Sequence, residues 1–167
     1  MKKILIILLF TLGHQLVDAQ TTTRRDTLQG GLRFERTCFD VLRYNLDIQV
    51  NPKTRKIIGN NEIIFKIVTQ TTTIQIDLFE NMQLDSVVWN KQKLTFIRDF
   101  DAIFIKFPTN LEVASNQSIK MYYQGNPIVA KNAPWDGGFV FAEDVNKNPW
   151  IGVAVQGTGA SLWYPVK

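Results

Sequence analysis

Histidine is almost missing from this chain. The single one, His14, stands inside an N-terminal stretch that reads as a secretory signal, so the mature chain is expected to contain none. Zinc sites in hydrolases are built on imidazole ligands. A serine or cysteine nucleophile usually takes histidine as its base. A complete hydrolytic site of either kind is therefore not expected in this polypeptide alone. Cysteine is as scarce. Cys38 has no second cysteine to pair with, which excludes an internal disulfide, and its place beside Phe39 in an apolar setting predicts a buried thiol. A block of one charge is missing too. The 19 basic and 15 acidic residues are scattered, and the closest basic groups, Arg24-Arg25 and Lys53-Arg55-Lys56, leave no nucleic-acid footprint. No apolar run is long enough to span a bilayer, no repeat recurs, and no helical period exceeds two turns beyond the signal.

What is present begins with the signal itself. Lys2 and Lys3 form a basic start, Ile4 to Leu12 an apolar core, and Val17-Asp18-Ala19 small residues at a cleavage site. This three-part layout predicts removal of residues 1–19 and a secreted or periplasmic protein with no membrane span after cleavage. Residues 20–34 are polar, with Thr21-Thr22-Thr23 and Gly30-Gly31, and read as a flexible leader. Residues 35–167 read as one β-rich domain.

Period two dominates that domain. Leu42, Tyr44, Leu46, Ile48 and Val50 alternate with polar residues, the mark of a half-buried strand. Asn51-Pro52-Lys53-Thr54 supplies turn chemistry. A second strand runs from about Lys56 to Val68, with Ile63, Phe65 and Ile67 on one face. Thr69 to Thr73 fits a polar loop. Ile74, Ile76 and Leu78 share one side of the next strand. Further strands are predicted at 84–89, 93–98, 102–107 (ended by Pro108), 118–123 and 151–155. Short strands between regular turns indicate an all-β fold, either a curved, mostly antiparallel, saddle-like sheet or a sandwich.

The last forty residues carry the unusual chemistry. Gly157-Thr158-Gly159 lacks the helix and lysine of a phosphate loop, so its glycines serve positive φ or close backbone approach. Asp136, Glu143 and Asp144 are carboxylates of the kind a glycosidase pairs. Asp136 sits in a Trp-Asp-Gly-Gly turn, however, and Glu143-Asp144 leads into the hairpin tip Asn146-Lys147-Asn148. Trp135, Trp150, Trp163 and Tyr164 suit a sugar platform or a domain contact equally. Gln156 ends an apolar strand and precedes Gly157. Its amide is placed either to serve a ligand or to satisfy the loop's own backbone.

These residues also carry a family resemblance. Asp40-Val41, Tyr44, Leu46-Asp47-Ile48, Val50 and Pro52, followed by Ile58-Gly59 and the strand to Ile67, resemble the opening of the aminopeptidase N family of zinc metallopeptidases. Tyr122, Gly125, Pro127, the run Ala133 to Phe139 and the stretch from Pro149-Trp150-Ile151 to Pro165 resemble the end of that family's N-terminal domain, its bacterial secreted branch above all. The resemblance spans Phe34 to Lys167. It implies a saddle-shaped domain packed intramolecularly on a thermolysin-like catalytic domain. There an HExxH helix and a later glutamate would hold zinc, and zinc-bound water would attack the first peptide bond. None of those motifs is in this sequence. The chain is thus expected to stop before its catalytic domain, to hold no metal or cofactor itself, and to be inactive alone. Gln156 stands nine residues before Pro165, as a cleft glutamine does in the family. By resemblance Gln156, with Gly157 beside it, would bind the first residue and α-amine of a peptide substrate. Val155 and Tyr164 depart from the cysteine and tryptophan common in relatives. The rival expectation is a standalone secreted β-sandwich that binds carbohydrate or protein through Trp135, Trp150 and Trp163.

Overall fold

The computed structural model describes residues 21–167, so the expected signal segment 1–19 and Gln20 lie outside the described residues. Seven strands form one curled antiparallel sheet. They are β1 (Phe39–Asn51), β2 (Lys56–Ile67), β3 (Thr71–Asp77), β4 (Met82–Trp89), β5 (Gln92–Asp99), β6 (Ala102–Leu111) and β7 (Asn116–Gly125). Their spatial order is β1-β2-β7-β4-β5-β6-β3. A separate hairpin follows, β8 (Gly138–Glu143) with β9 (Pro149–Ala154). The saddle-like expectation holds over the sandwich.

Alternation explains the core. Ile57, Ile63 and Phe65 of β2, Ile74 and Ile76 of β3, and Ile119, Met121 and Tyr123 of β7 are all fully buried in one core cluster. Ile64 of β2 and Lys120 and Tyr122 of β7, which stand between them, are more exposed, because successive strand side chains point to opposite sides. Gln75 of β3 is buried as well, under the Leu28 carbonyl to which its amide donates. Phe65 meets Phe39 edge-on at 5.3 Å between ring centroids, and Trp89 meets Phe107 at 5.4 Å. The Cys38 thiol is fully buried, and burial pushes its pKa up. It therefore stays protonated and unreactive.

Three local expectations are corrected. Leu42 leaves the core phase and is exposed, because a bulge between Val41 and Arg43 adds one residue to β1 and flips the alternation there. Pro108 does not end β6, which continues to Leu111. Pairing with β5 stops at Lys106 and pairing with β3 is irregular beyond it, so no ladder bond is asked of the proline nitrogen. The stretch Thr71–Thr73, read as loop, begins β3.

The leader reading of 20–34 also gives way. Helix α1 (Arg24–Gly30) opens on a capping box in which Thr23 and Asp26 satisfy each other's backbone N–H, closing the first turn. Leu28 is buried. Arg24 pairs with Asp99, Arg25 with Glu80 at 2.6 Å, and the Gln29 amide donates to Asp101 at 3.1 Å. A one-turn helix α2 (Phe34–Thr37) follows, and Arg36 pairs with the buried Asp77.

Residues 160–167 close the sheet's interior. Val166 exchanges both backbone hydrogen bonds with Asp77 at the end of β3. The buried Asn61 amide donates to Pro165 O at 2.7 Å, and Lys167 N donates to the Tyr44 hydroxyl at 3.0 Å. The tail therefore ties β1, β2 and β3 together.

Candidate functional site

The candidate residues all lie on the layer that follows β7. Hairpin β8–β9 turns at Asp144–Asn148. The Asp144 carboxylate accepts the backbone N–H groups of Asn146 and Asn148, each at 2.8 Å. These bonds, with that from the Asn148 side chain, hold its pKa below the ordinary value. Glu143 pairs with Lys147 at 3.6 Å on the exposed tip. Asp136 accepts from Asn132 N at 2.9 Å and closes its own turn. These three carboxylates are structural, as their sequence context suggests.

The hairpin sits on the sheet through an aromatic relay. Phe139 is buried and stacks with Phe141 at 5.6 Å, then meets Trp163 at 5.8 Å. Trp163 meets Tyr164 at 4.6 Å, and Tyr164 meets Tyr44 of β1 at 6.1 Å. Edge-on geometries of this kind add modestly to area burial. Trp163 is therefore committed inward. Trp135 and Trp150, 74% and 56% exposed, are not.

Gln156 caps the far end of β9. Val155 O accepts the N–H groups of Thr158 (3.2 Å) and Gly159 (2.9 Å). Gly157 holds φ at +72°, a conformation a side chain resists. The loop thus satisfies its own backbone, and the exposed Gln156 amide makes no hydrogen bond among the described residues. One contact that sequence does not display fixes the loop's position. A Cβ on Gly137 would come within 2.1 Å of the Thr158 hydroxyl. The two glycine clusters, twenty residues apart in sequence, are thus packed backbone to side chain.

Beside the hairpin an open cleft of about 670 Å³ separates it from the β1–β2 tip. Pro52, Lys53, Arg55, Phe141 and Ile151 line it, and the Arg55 guanidinium lies 5.8 Å over the Phe141 ring. The turn at Asn51–Thr54 is legible in the sequence, but nothing there signals that Arg55 beside it faces Phe141. Among the described residues no three His, Cys, Asp or Glu side chains come together as metal ligands, and no helix is long and apolar enough to cross a membrane.

The architecture has known counterparts. An M1 zinc metallopeptidase from Deinococcus radiodurans aligns over 78% of this chain with a TM-score of 0.58 at 16% identity. The shared feature is the fold. Leukotriene A4 hydrolase from Saccharomyces cerevisiae aligns over 77% with a TM-score of 0.56 at 12% identity. A mutant of the Deinococcus protein bound to a Tyr-Ser-Ala substrate aligns over 63%, with a TM-score of 0.52 at 17% identity. The chain spans 29%, 21% and 26% of those structures, less than a third of each. No family model and no curated protein matches the sequence.

Proposed function

We propose that this chain is the N-terminal domain of a secreted zinc aminopeptidase of the aminopeptidase N type. The observation that carries the reading is the joint placement of fold and glutamine. The curled sheet is shared with M1 zinc metallopeptidases, and Gln156 stands at the open end of β9 with its amide free among the described residues. In the complete enzyme the domain walls the cleft, and Gln156 offers a carbonyl oxygen to the peptide's α-ammonium group. Gly157 gives that end of the loop its reversed backbone, so the main chain can approach the substrate closely.

The described residues do not fit zinc, since no donor set is assembled among them. The metal belongs to the part of the enzyme this chain does not supply, and the reacting bond is cleaved there. This chain's contribution is orientation. Holding a substrate in register can supply several kcal/mol of a barrier, of order 7–11 in favourable cases. Secretion is part of the proposal and rests on Lys2, Lys3, the apolar run to Leu12 and Ala19.

The test is hydrolysis of aminoacyl-nitroanilides. The protein that contains this domain together with its downstream sequence turns them over, loses activity to a chelator and regains it with zinc, while this chain alone stays at background. Metal-dependent turnover by this chain alone, or none by the complete protein, overturns the reading. The exposed Trp135 and Trp150 favour one alternative, a glycan-binding module. Glycan affinity lost in both Trp→Ala variants, together with no peptidase activity in the complete protein, supports that alternative.

A further inference from the structure

Sheet edges are normally blunted, because their unpaired N–H and C=O groups recruit other strands. The seven-stranded sheet follows this rule at both ends. Edge strand β1 carries the Leu42 bulge and exposed Arg43 and Asp47, and its first carbonyl, on Phe39, is taken by the Lys167 ammonium. Edge strand β3 is closed by Val166 at Asp77, while Thr73 O is taken by the Thr71 hydroxyl at 2.8 Å.

Strand β9 does none of this. Its stretch Trp150–Ala154 has no charge, and its register with β8 has no bulge. The alternation of an antiparallel pair fixes which backbone groups point away from the partner. On β8, Phe139 turns both groups outward, accepting from Ala130 N at 3.0 Å and donating to Ile128 O at 2.7 Å. Its partner Val153 therefore also points outward, as does Ile151, which faces Phe141. Segment 128–130 covers the β8 edge at Phe139. On the β9 edge, the N–H and C=O groups of Ile151 and Val153 have no partner among the described residues.

The geometry points to a strand-addition site. The edge of β9 binds an extended polypeptide segment as a third strand of the β8–β9 sheet, through the backbone of Ile151 and Val153. The spacing specifies the ligand class. Two outward residues separated by one match the repeat of an extended main chain and of no glycan or acyl chain. The exposed Ile151, Val153 and Val155 side chains favour apolar residues on the bound segment. This deepens the peptide-wall reading by naming what grips the peptide beyond its amino end. It is read without turnover, so it can fail while the aminopeptidase assignment stands, and the reverse.

Amide hydrogen exchange tests it. The full chain is mixed with the free peptide Lys-Val-Thr-Val-Thr-Val, and separately with the same peptide N-methylated at every backbone amide, so that neither of its edges can donate. Exchange at Ile151 and Val153 is expected to slow at least about tenfold with the first peptide and not with the second. Val153→Pro removes one outward donor without touching the bonds to β8, and is expected to abolish the protection of the remaining Ile151 amide at an unchanged Tm. Should that variant misfold, the comparison of the two peptides on the native chain still decides. No protection at millimolar peptide, equal protection by the methylated peptide, or protection confined to β1 or β3 overturns the proposal. So does slow exchange of these two amides in the peptide-free chain when sedimentation shows it to be a dimer.

Discussion

The curled sheet and the hairpin that follows it are built on opposite terms. In the sheet, Ile63, Phe65, Ile76 and Ile119 are entirely closed to water, and both edges are occupied or interrupted. In the hairpin, Trp150, Ile151, Val153 and Val155 are each more than a third exposed, and the outer edge is bare. Only Phe139 anchors it deeply. The same strand chemistry thus serves two ends. One region uses burial to stay folded, and the other keeps apolar and polar groups available beside Gln156. A large exposed apolar surface on a protein marks an interaction site more often than an accident.

Mutations sharpen the contrast by size of effect. Phe65→Ala leaves a cavity against Phe39 and Phe107, and about 3–5 kcal/mol of stability is expected to go in urea unfolding. Val153→Ala on the hairpin is expected to cost under about 0.5 kcal/mol by the same assay. Equal losses would erase the distinction between the two regions. Arg98→Ala comes next. Its guanidinium donates to the carbonyls of Leu78, Phe79, Met82 and Phe100, so removal is expected to cost about 2–3 kcal/mol. Faster amide exchange around residues 78–82 would accompany that loss.

Gly137→Ala probes the base of the hairpin. The new methyl meets Thr158, with an expected cost of about 1–3 kcal/mol. The double variant with Thr158→Gly recovers most of it, and the coupling is read as a double-mutant cycle. Additive losses would mean the contact does not hold the Gln156 loop. The smallest effect is expected at Tyr123→Phe. The Tyr123 hydroxyl is buried with no partner among the described residues, and burial raises its pKa far above the ordinary tyrosine value. Removing it is expected to leave stability unchanged or raised by up to about 1 kcal/mol. A clear loss would reveal a hydrogen bond to that hydroxyl.

The same contrast governs what was legible in the amino-acid order. The Ile63-Phe65-Ile67 and Ile74-Ile76-Leu78 patterns announce a sheet because one face meets water and the other does not. The Asn51–Thr54 and Asn146–Asn148 turns are legible because turn chemistry is local. Helix α1 is not. It rests on one buried leucine and on ion pairs to Asp99 and Glu80, more than fifty residues away, although Thr23 and Asp26 at cap spacing signal its start. The Leu42 bulge and the passage of β6 through Pro108 depend on neighbouring strands and leave no local mark. At the candidate site, Gln156 drew notice from its setting and from the family resemblance. The Gly137–Thr158 contact, the inward turn of Trp163 and the bare edge of β9 emerge only when distant segments meet.

The most direct measurement is steady-state kinetics of Gln156→Ala in the complete enzyme, with a peptide bearing a free amino end. The account predicts that kcat/KM falls at least about tenfold, equivalent to about 1.4 kcal/mol of transition-state binding, while Tm stays that of the parent. An unchanged kcat/KM at an unchanged Tm would contradict it.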